Sequence, residues 1–136
     1  LSGATLKPQE DGYYNNVTPQ HCFEVGRMLA KMHLAASDFS LSRENDLGVK
    51  GFRALFSKFE DRLENYQKNL RFEILENLNY IESVWKPDLP SAAIHADLFI
   101  DNVFFDKNGH LSGVIDFYFA ANDILIYDFA ITVNAW

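Results

Sequence analysis

Two short apolar runs joined by a polar link constrain this sequence more than any other feature. The runs, residues 102–105 and 111–115, are rich in β-branched and aromatic side chains, and the link between them contains an Asn-Gly pair. Asn-Gly between two such runs is a strong signal for a β-hairpin. A pairing centred near Gly109 sets Asn102 opposite Asp116 at the open end. The sequence therefore predicts an amide and a carboxylate side by side.

A second carboxylate precedes this hairpin. Asp97 lies in a loop short enough to curl back over the end that carries Asn102 and Asp116. Mg²⁺ in phosphate chemistry takes one or two protein carboxylates, and its other ligands are waters and phosphate oxygens. We therefore assign Asp97 as the catalytic base, and Asn102 and Asp116 as ligands of Mg²⁺ and, through it, of a phosphate group. The alternative is structural, because loop Asp and Asn side chains often bond only to nearby backbone.

Two further polar side chains are expected to support this site. His95 is interpreted as a buried imidazole that bonds loop carbonyls and holds Asp97 in place. Asp128 lies on an apolar stretch of the last predicted helix, so its carboxylate needs partners. The free backbone amides of the loop around Asp97 are the expected partners. Tyr118 is a candidate substrate contact by position only, and His33 is expected to be a structural helix residue.

Composition narrows the class of protein. A chain of 136 residues with 48% hydrophobic content is large enough for one domain with a core. The net charge of -7, without a Lys or Arg cluster, disfavours nucleic acid and anionic membranes as partners. Small-molecule partners fit better. Cys22 is the single cysteine, which excludes an internal disulfide and suits a cytoplasmic protein.

The remaining periodicity is mainly helical. Thr18 and Pro19 form a helix start, with a hydroxyl cap and a proline at the first helical position. Helices on either side of a short sheet predict a segregated α+β fold. The predicted helices span 19–37, 52–69 and 74–85, and a last one is capped by Asn122 or Asp123.

The ends of the sequence suggest a larger protein. The chain begins without Met and stops at Trp136 inside an apolar helical pattern that lacks a stop signal. We interpret residues 1–17 as a connector and residues 18–136 as one lobe, truncated at its C-terminal end.

The polar residues occur in a familiar order. The pattern His95-x-Asp97-x-x-x-x-Asn102, followed by Asp116 and then Asp128, resembles the aminoglycoside phosphotransferase and choline kinase-like superfamily, relatives of the protein kinases. The resemblance implies a protein-kinase-like C-terminal lobe with a short catalytic hairpin. It also implies that Asp97 is the base, that Asn102 and Asp116 hold Mg²⁺, and that Asp128 braces the catalytic loop.

Longer segments are similar to one branch of this superfamily, the bacterial homoserine kinases. That resemblance implies ATP-dependent phosphorylation of the homoserine side-chain hydroxyl, in threonine biosynthesis. It also implies a smaller N-terminal lobe that is absent here, so the chain alone is expected to be inactive or nearly so. The alternatives are a kinase for choline or an aminoglycoside, a non-catalytic remnant, and, more weakly, a magnesium-dependent hydrolase. The similar segments are 25–36, 93–99, 101–105, 111–120 and 134–136.

Overall fold

The computed structural model describes residues 3–8, 10, 14, 16–86 and 88–136. These residues form helices and short antiparallel strands, so the predicted α+β class is confirmed. The chain divides into two compact units, one made of residues 1–43 and 90–136 and the other of residues 44–89. Within the described residues, no helix is long and apolar enough to cross a membrane.

The first unit begins with helix α1, Pro19–Ala35. As predicted, Thr18 caps it: the Thr18 hydroxyl accepts from the backbone N of His21 at 3.3 Å, and His21 Nδ1 accepts from the backbone N of Thr18 at 3.2 Å. This reciprocal pair is a capping box, and it satisfies two backbone donors that the helix itself leaves free. Val25 and Leu29 are buried on the inner face of α1.

Two separate two-stranded sheets follow in the same unit. Strand β2, Val103–Phe105, pairs antiparallel with β3, Leu111–Val114, which confirms the predicted hairpin. Strand β1, Ser91–Ile94, pairs antiparallel with β4, Ala121–Ile124, and this second sheet was not predicted.

The register of the hairpin differs from the prediction by one residue. Val103 lies opposite Val114, and the backbone N of Ile115 donates to the carbonyl of Asn102 at 3.0 Å. Asn102 is therefore opposite Ile115 and not Asp116. The physical reason lies in the turn: Phe105 pairs with Leu111 and the backbone N of Asp106 donates to the carbonyl of His110, so the turn is centred on Asn108 and not on Gly109. An irregularity between Phe104 and Phe105 then shifts the pairing by one residue toward the predicted register.

The predicted start of the last helix is wrong. Asn122 and Asp123 lie within β4, and helix α4 spans Leu125–Ala135 without a side-chain cap at its start. Both residues are good helix caps by type, but β4 pairs with β1 and draws them into the sheet. The backbone N–H of Asn122 is bonded outside any helix, since it donates to the carbonyl of Arg43 at 2.8 Å.

The core of the first unit lies between α1 and the hairpin. The backbone of Ala4 also pairs with Phe105 through two hydrogen bonds of 3.0 Å, so an early segment lies along the β2 edge. Loop residue Leu98 belongs to this core and is 0% exposed. The loop that carries Asp97 is thus anchored in the core. The buried cluster consists of Val25, Leu29, Leu98, Val103 and Phe105.

The second unit is a pair of helices, α2 over Val49–Leu63 and α3 over Leu70–Val84. Both begin earlier than predicted, and α2 also ends earlier. Gly51 directly precedes the predicted start of this helix at residue 52, yet it lies inside α2. A side chain at this position would overlap the backbone of Asp46. Asn69 has a φ of 67° and turns the chain into α3.

Candidate active site

The predicted catalytic loop connects β1 to β2 and contains a strained residue. Ala96, directly before Asp97, has a φ of 63°, and Asp116 after β3 has a φ of 62°. Left-handed backbone at a residue other than glycine costs about 1–3 kcal/mol and persists only where surrounding contacts enforce it. Asp tolerates this backbone better than Ala does, so Ala96 in particular requires contacts that hold it.

Asp128 provides such contacts to the loop. Its side chain is 0% exposed, and Oδ1 accepts from the backbone N of Ala96 at 2.8 Å. Oδ2 accepts from the backbone N of His95 at 3.0 Å and from His33 Nε2 at 2.8 Å. The bonds to the two loop amides are those that the sequence predicted. Three donors to one buried carboxylate offset the cost of removing its charge from water.

His95 is buried and connects the loop to the hairpin. Its Nδ1 accepts from the backbone N of Asp97 at 3.2 Å, so the ring proton lies on Nε2, which donates to the carbonyl of Ile115 at 3.0 Å. The ring also packs on Phe117 at 4.6 Å between centroids. His95 thus links the residue predicted as base to the backbone just before Asp116.

Asp97 and Asn102 are brought together as predicted. Asn102 Nδ2 donates to the carbonyl of Asp97 at 2.8 Å and to its Oδ2 at 3.2 Å. The backbone N of Phe99 also donates to the Asp97 carbonyl, at 2.8 Å. The Asp97 side chain is therefore oriented by a buried amide that itself belongs to the short 3₁₀ turn Ile100–Asn102.

Burial raises the pKa of Asp97 above its ordinary value. The negative charges of Asp116 and Asp101 raise this pKa further, while the hydrogen bond from Asn102 and the nearby His95 lower it. Asp116 directly follows Ile115, whose backbone N donates to the carbonyl of Asn102 at 3.0 Å, and Asn102 in turn bonds to Asp97. The three predicted site residues Asp97, Asn102 and Asp116 thus occupy one region.

The donor set fits a hard cation. Both hydrogen bonds of the Asn102 side chain use its Nδ2, which directs Oδ1 away from Asp97, and Asp116 is exposed. The described residues contain no group of three or more His, Cys, Asp and Glu side chains arranged for a metal ion. Mg²⁺ beside nucleotide phosphates needs only one or two carboxylates, so an Asn–Asp pair suits it.

Tyr118, the predicted substrate contact, lies at the surface and is 70% exposed. Its carbonyl accepts a short hydrogen bond from the Arg43 guanidinium, whose central carbon lies 5.9 Å from the Tyr118 ring centroid. Arg43 also donates its backbone N to Asn122 Oδ1 at 2.9 Å. These contacts of Arg43 were not predictable from the sequence, because the segment around it lacks periodicity.

Two further long-range contacts were not predicted from the sequence. Trp136 Nε1 donates to the carbonyl of Leu98 at 2.9 Å, and His33 bonds to Asp128. Both partners are far away in the sequence. The position of His33 beside Met32 on an amphipathic helix was the available signal, and it indicated a structural residue without identifying its partner.

Solved structures with the same fold are phosphotransferases. The aminoglycoside-3'-phosphotransferase of type VIII matches with a TM-score of 0.61 and 17% identity, over 98% of this chain and 49% of that chain. The macrolide 2'-phosphotransferase type I matches with a TM-score of 0.57 and 20% identity, over 98% and 47%. The chain thus shares the fold of about half of each of these solved structures.

The sequence comparison is more specific. Residues 1–136 match the phosphotransferase enzyme family, and the chain belongs to that family. Similar curated proteins are the homoserine kinase of Agrobacterium fabrum, 51% identical over 117 residues, and that of Rhizobium meliloti, 54% identical over 117 residues. Each match covers 86% of this chain and 36% of the relative, so the chain spans about a third of the length of these proteins.

Proposed function

We propose that this chain carries the catalytic residues of an ATP- and Mg²⁺-dependent kinase that phosphorylates the side-chain hydroxyl of L-homoserine, in threonine biosynthesis in the cytoplasm. Identity of about half to homoserine kinases over most of the chain supports the substrate. The observation that carries the chemistry is the Asp97 carboxylate, which accepts a hydrogen bond from Asn102, the residue whose carbonyl bonds to the backbone just before Asp116.

In this proposal, Asp97 orients the homoserine hydroxyl and accepts its proton. The hydroxyl oxygen forms a bond to the γ-phosphorus of ATP as the bond to the β–γ bridging oxygen breaks, and ADP leaves. A raised pKa makes Asp97 a stronger proton acceptor than an ordinary carboxylate.

Asn102 Oδ1 and the Asp116 carboxylate would hold Mg²⁺, which when bound neutralises charge on the phosphates. Asp128 and His95 support the reaction indirectly, since they fix the backbone amides of residues 95–97. The exposed Tyr118 is a candidate contact for the substrate.

The relatives are about three times as long as the matched segment. We propose that residues 18–136 form a C-terminal catalytic lobe, that residues 1–17 connect it to a nucleotide-binding lobe, and that the rest of the ATP site lies outside these residues. Phosphoryl transfer depends mostly on positioning and charge stabilisation, so residues 1–136 alone are expected to be inactive or nearly so. Turnover by them comparable to that of the full-length protein would contradict this.

The decisive test is a coupled ATP/homoserine assay of the full-length protein and its Asp97→Asn variant. Loss of a general base is expected to lower kcat by about 10²-fold to 10⁴-fold. Asp38→Asn, the same change at an exposed position, is the matched control and should retain activity. Equal kcat in the wild type and Asp97→Asn would contradict the assignment of the base.

Substrate and metal are tested separately. Turnover on homoserine should exceed that on choline and on an aminoglycoside, and the reverse order would identify a kinase for another alcohol. Asp116→Asn keeps a residue type that tolerates left-handed backbone but removes the charge. Weaker Mg²⁺–ATP binding is expected in this variant, and unchanged binding would contradict the metal assignment. A wild type that binds no Mg²⁺–ATP would indicate a non-catalytic remnant.

A further inference from the structure

His33 is the one side chain in the described part of the chain that donates a hydrogen bond to the Asp128 carboxylate. The distance from His33 Nε2 to Asp128 Oδ2 is 2.8 Å, and the two side chains are 12% and 0% exposed. The other two donors are backbone amides of the catalytic loop. A carboxylate in this setting is fixed from two directions, by the loop on one side and by helix α1 on the other.

The contact with His33 determines where the loop amides are held. Asp128 Oδ2 is shared between His33 Nε2 and the backbone N of His95, while Oδ1 binds the backbone N of Ala96. Without His33, the carboxylate would keep only the two loop amides as hydrogen-bond donors, and its orientation would depend on α4 alone. Ala96 has left-handed backbone, which relaxes when the contacts that enforce it loosen. Asp97 follows directly and would lose its placement.

We propose that His33 is a positioning residue of the phosphoryl-transfer reaction. Acting through Asp128, it holds the backbone of residues 95–97 in the conformation that presents the Asp97 carboxylate. His33 itself touches neither substrate nor Asp97. This inference rests on the proposed function, and it adds a residue of α1 to the set on which the reaction depends.

The test uses the full-length protein and three substitutions at position 33. His33→Gln keeps an N–H donor at a similar reach, His33→Asn is one methylene shorter, and His33→Ala has no donor. Loss of a hydrogen bond to a buried charged group predicts a fall in kcat of about 10-fold to 100-fold for His33→Ala. KM for ATP and homoserine should change little, because His33 contacts neither. His33→Gln should restore most of the lost kcat, and the exposed control Lys31→Ala should match the wild type.

A second measurement does not depend on the reaction. Amide hydrogen exchange at His95 and Ala96 should be slow in the wild type and His33→Gln, and at least about 10-fold faster in His33→Ala. The amides of Leu29 and Val103 in the core should keep their exchange rates in all variants. A uniform rise across the core would instead indicate general destabilisation and would overturn the positioning role.

The outcomes separate the two proposals. A wild type with no homoserine turnover contradicts the proposed function, while the exchange rates of His95 and Ala96 still decide whether His33 fixes the loop. Unchanged kcat and unchanged exchange in a folded His33→Ala variant overturn this inference. If His33→Ala does not fold, Gln and Asn are compared, since only Gln reaches Asp128. Equal kcat in these two variants overturns it as well.

Discussion

The two compact units use charged side chains in opposite ways. In the unit of residues 1–43 and 90–136, the Asp128 carboxylate is 0% exposed and accepts hydrogen bonds from His33 and two loop amides. In the unit of residues 44–89, Arg53 makes a two-pronged contact with Glu82 at 2.8 and 2.7 Å, with side chains 30% and 40% exposed. One carboxylate lies inside the fold and the other at its surface.

The two carboxylates differ in how strongly their hydrogen bonds restrict the backbone around them. A buried carboxylate costs free energy unless every partner is in place, so its bonds restrict the backbone that provides them. An exposed pair competes with water and salt, and it contributes little to the free energy of unfolding. Accordingly, the strained residue Ala96 and the predicted base Asp97 lie in the unit with the buried carboxylate, while the Arg53 pair lies between two regular helices.

Removing each carboxylate should give the largest contrast. Asp128→Ala leaves three donors, His33 Nε2 and two backbone amides, without their acceptor, and should lower the free energy of unfolding by about 3–5 kcal/mol. Glu82→Ala leaves the exposed Arg53 free to bind water, so the denaturation midpoint should change little. Urea titration of the two variants measures both. Equal midpoints would contradict the distinction between the units.

Two leucines, one in each unit, extend the comparison to apolar side chains. Leu98 is 0% exposed, whereas Leu55 of α2 is 53% exposed. Leu98→Ala should cost about 2–5 kcal/mol, because it removes a fully buried side chain and leaves a cavity. Leu55→Ala should change the free energy of unfolding by less than about 1 kcal/mol, since that side chain remains largely in water. Urea titration applies here too, and a larger loss for Leu55→Ala would reverse the comparison.

The smallest expected effect is a gain in stability. Folding raises the pKa of Asp97, so the folded state favours its protonated form and the ionised carboxylate destabilises the fold near neutral pH. Asp97→Asn should therefore raise the melting temperature at pH 7. The gain should shrink as the pH falls through the raised pKa and vanish below the ordinary pKa of an aspartate. Melting curves across this range measure it, and a lower melting temperature at pH 7 would contradict the desolvation of Asp97.

Much of the site was predictable because its contacts are local or required by chemistry. The hairpin follows from two apolar runs and an Asn-Gly turn, and the bond between Asn102 and Asp97 spans only a short loop. The partners of Asp128 were predictable since a buried acid needs donors and the loop supplies free amides. The roles of Asp97, Asn102 and Asp116 in the reaction remain predictions.

The missed features depend on long-range pairing. β1 and β4 are four residues each and weak as sequence signals, so Asn122 and Asp123 resembled helix caps until the pairing with Ala93 and Ala92 placed them in a strand. The one-residue shift in the hairpin arises because the turn is centred on Asn108 and not on Gly109, and the irregularity between Phe104 and Phe105 offsets this only in part. His33 and Asp128 are separated by 95 positions, and nothing in either segment specifies the other.

That separation has a consequence for how the protein is made. During synthesis, the segment with Asp97 leaves the ribosome before α4, and α1 leaves long before both. Contacts between distant segments form only after the intervening chain is available. The loop therefore lacks its hydrogen bonds to Asp128 until α4 has been synthesised, although α1 with His33 is available long before then. A nascent chain that stalls before α4 already contains Asp97, Asn102 and Asp116, but it lacks the Asp128 carboxylate that holds the loop.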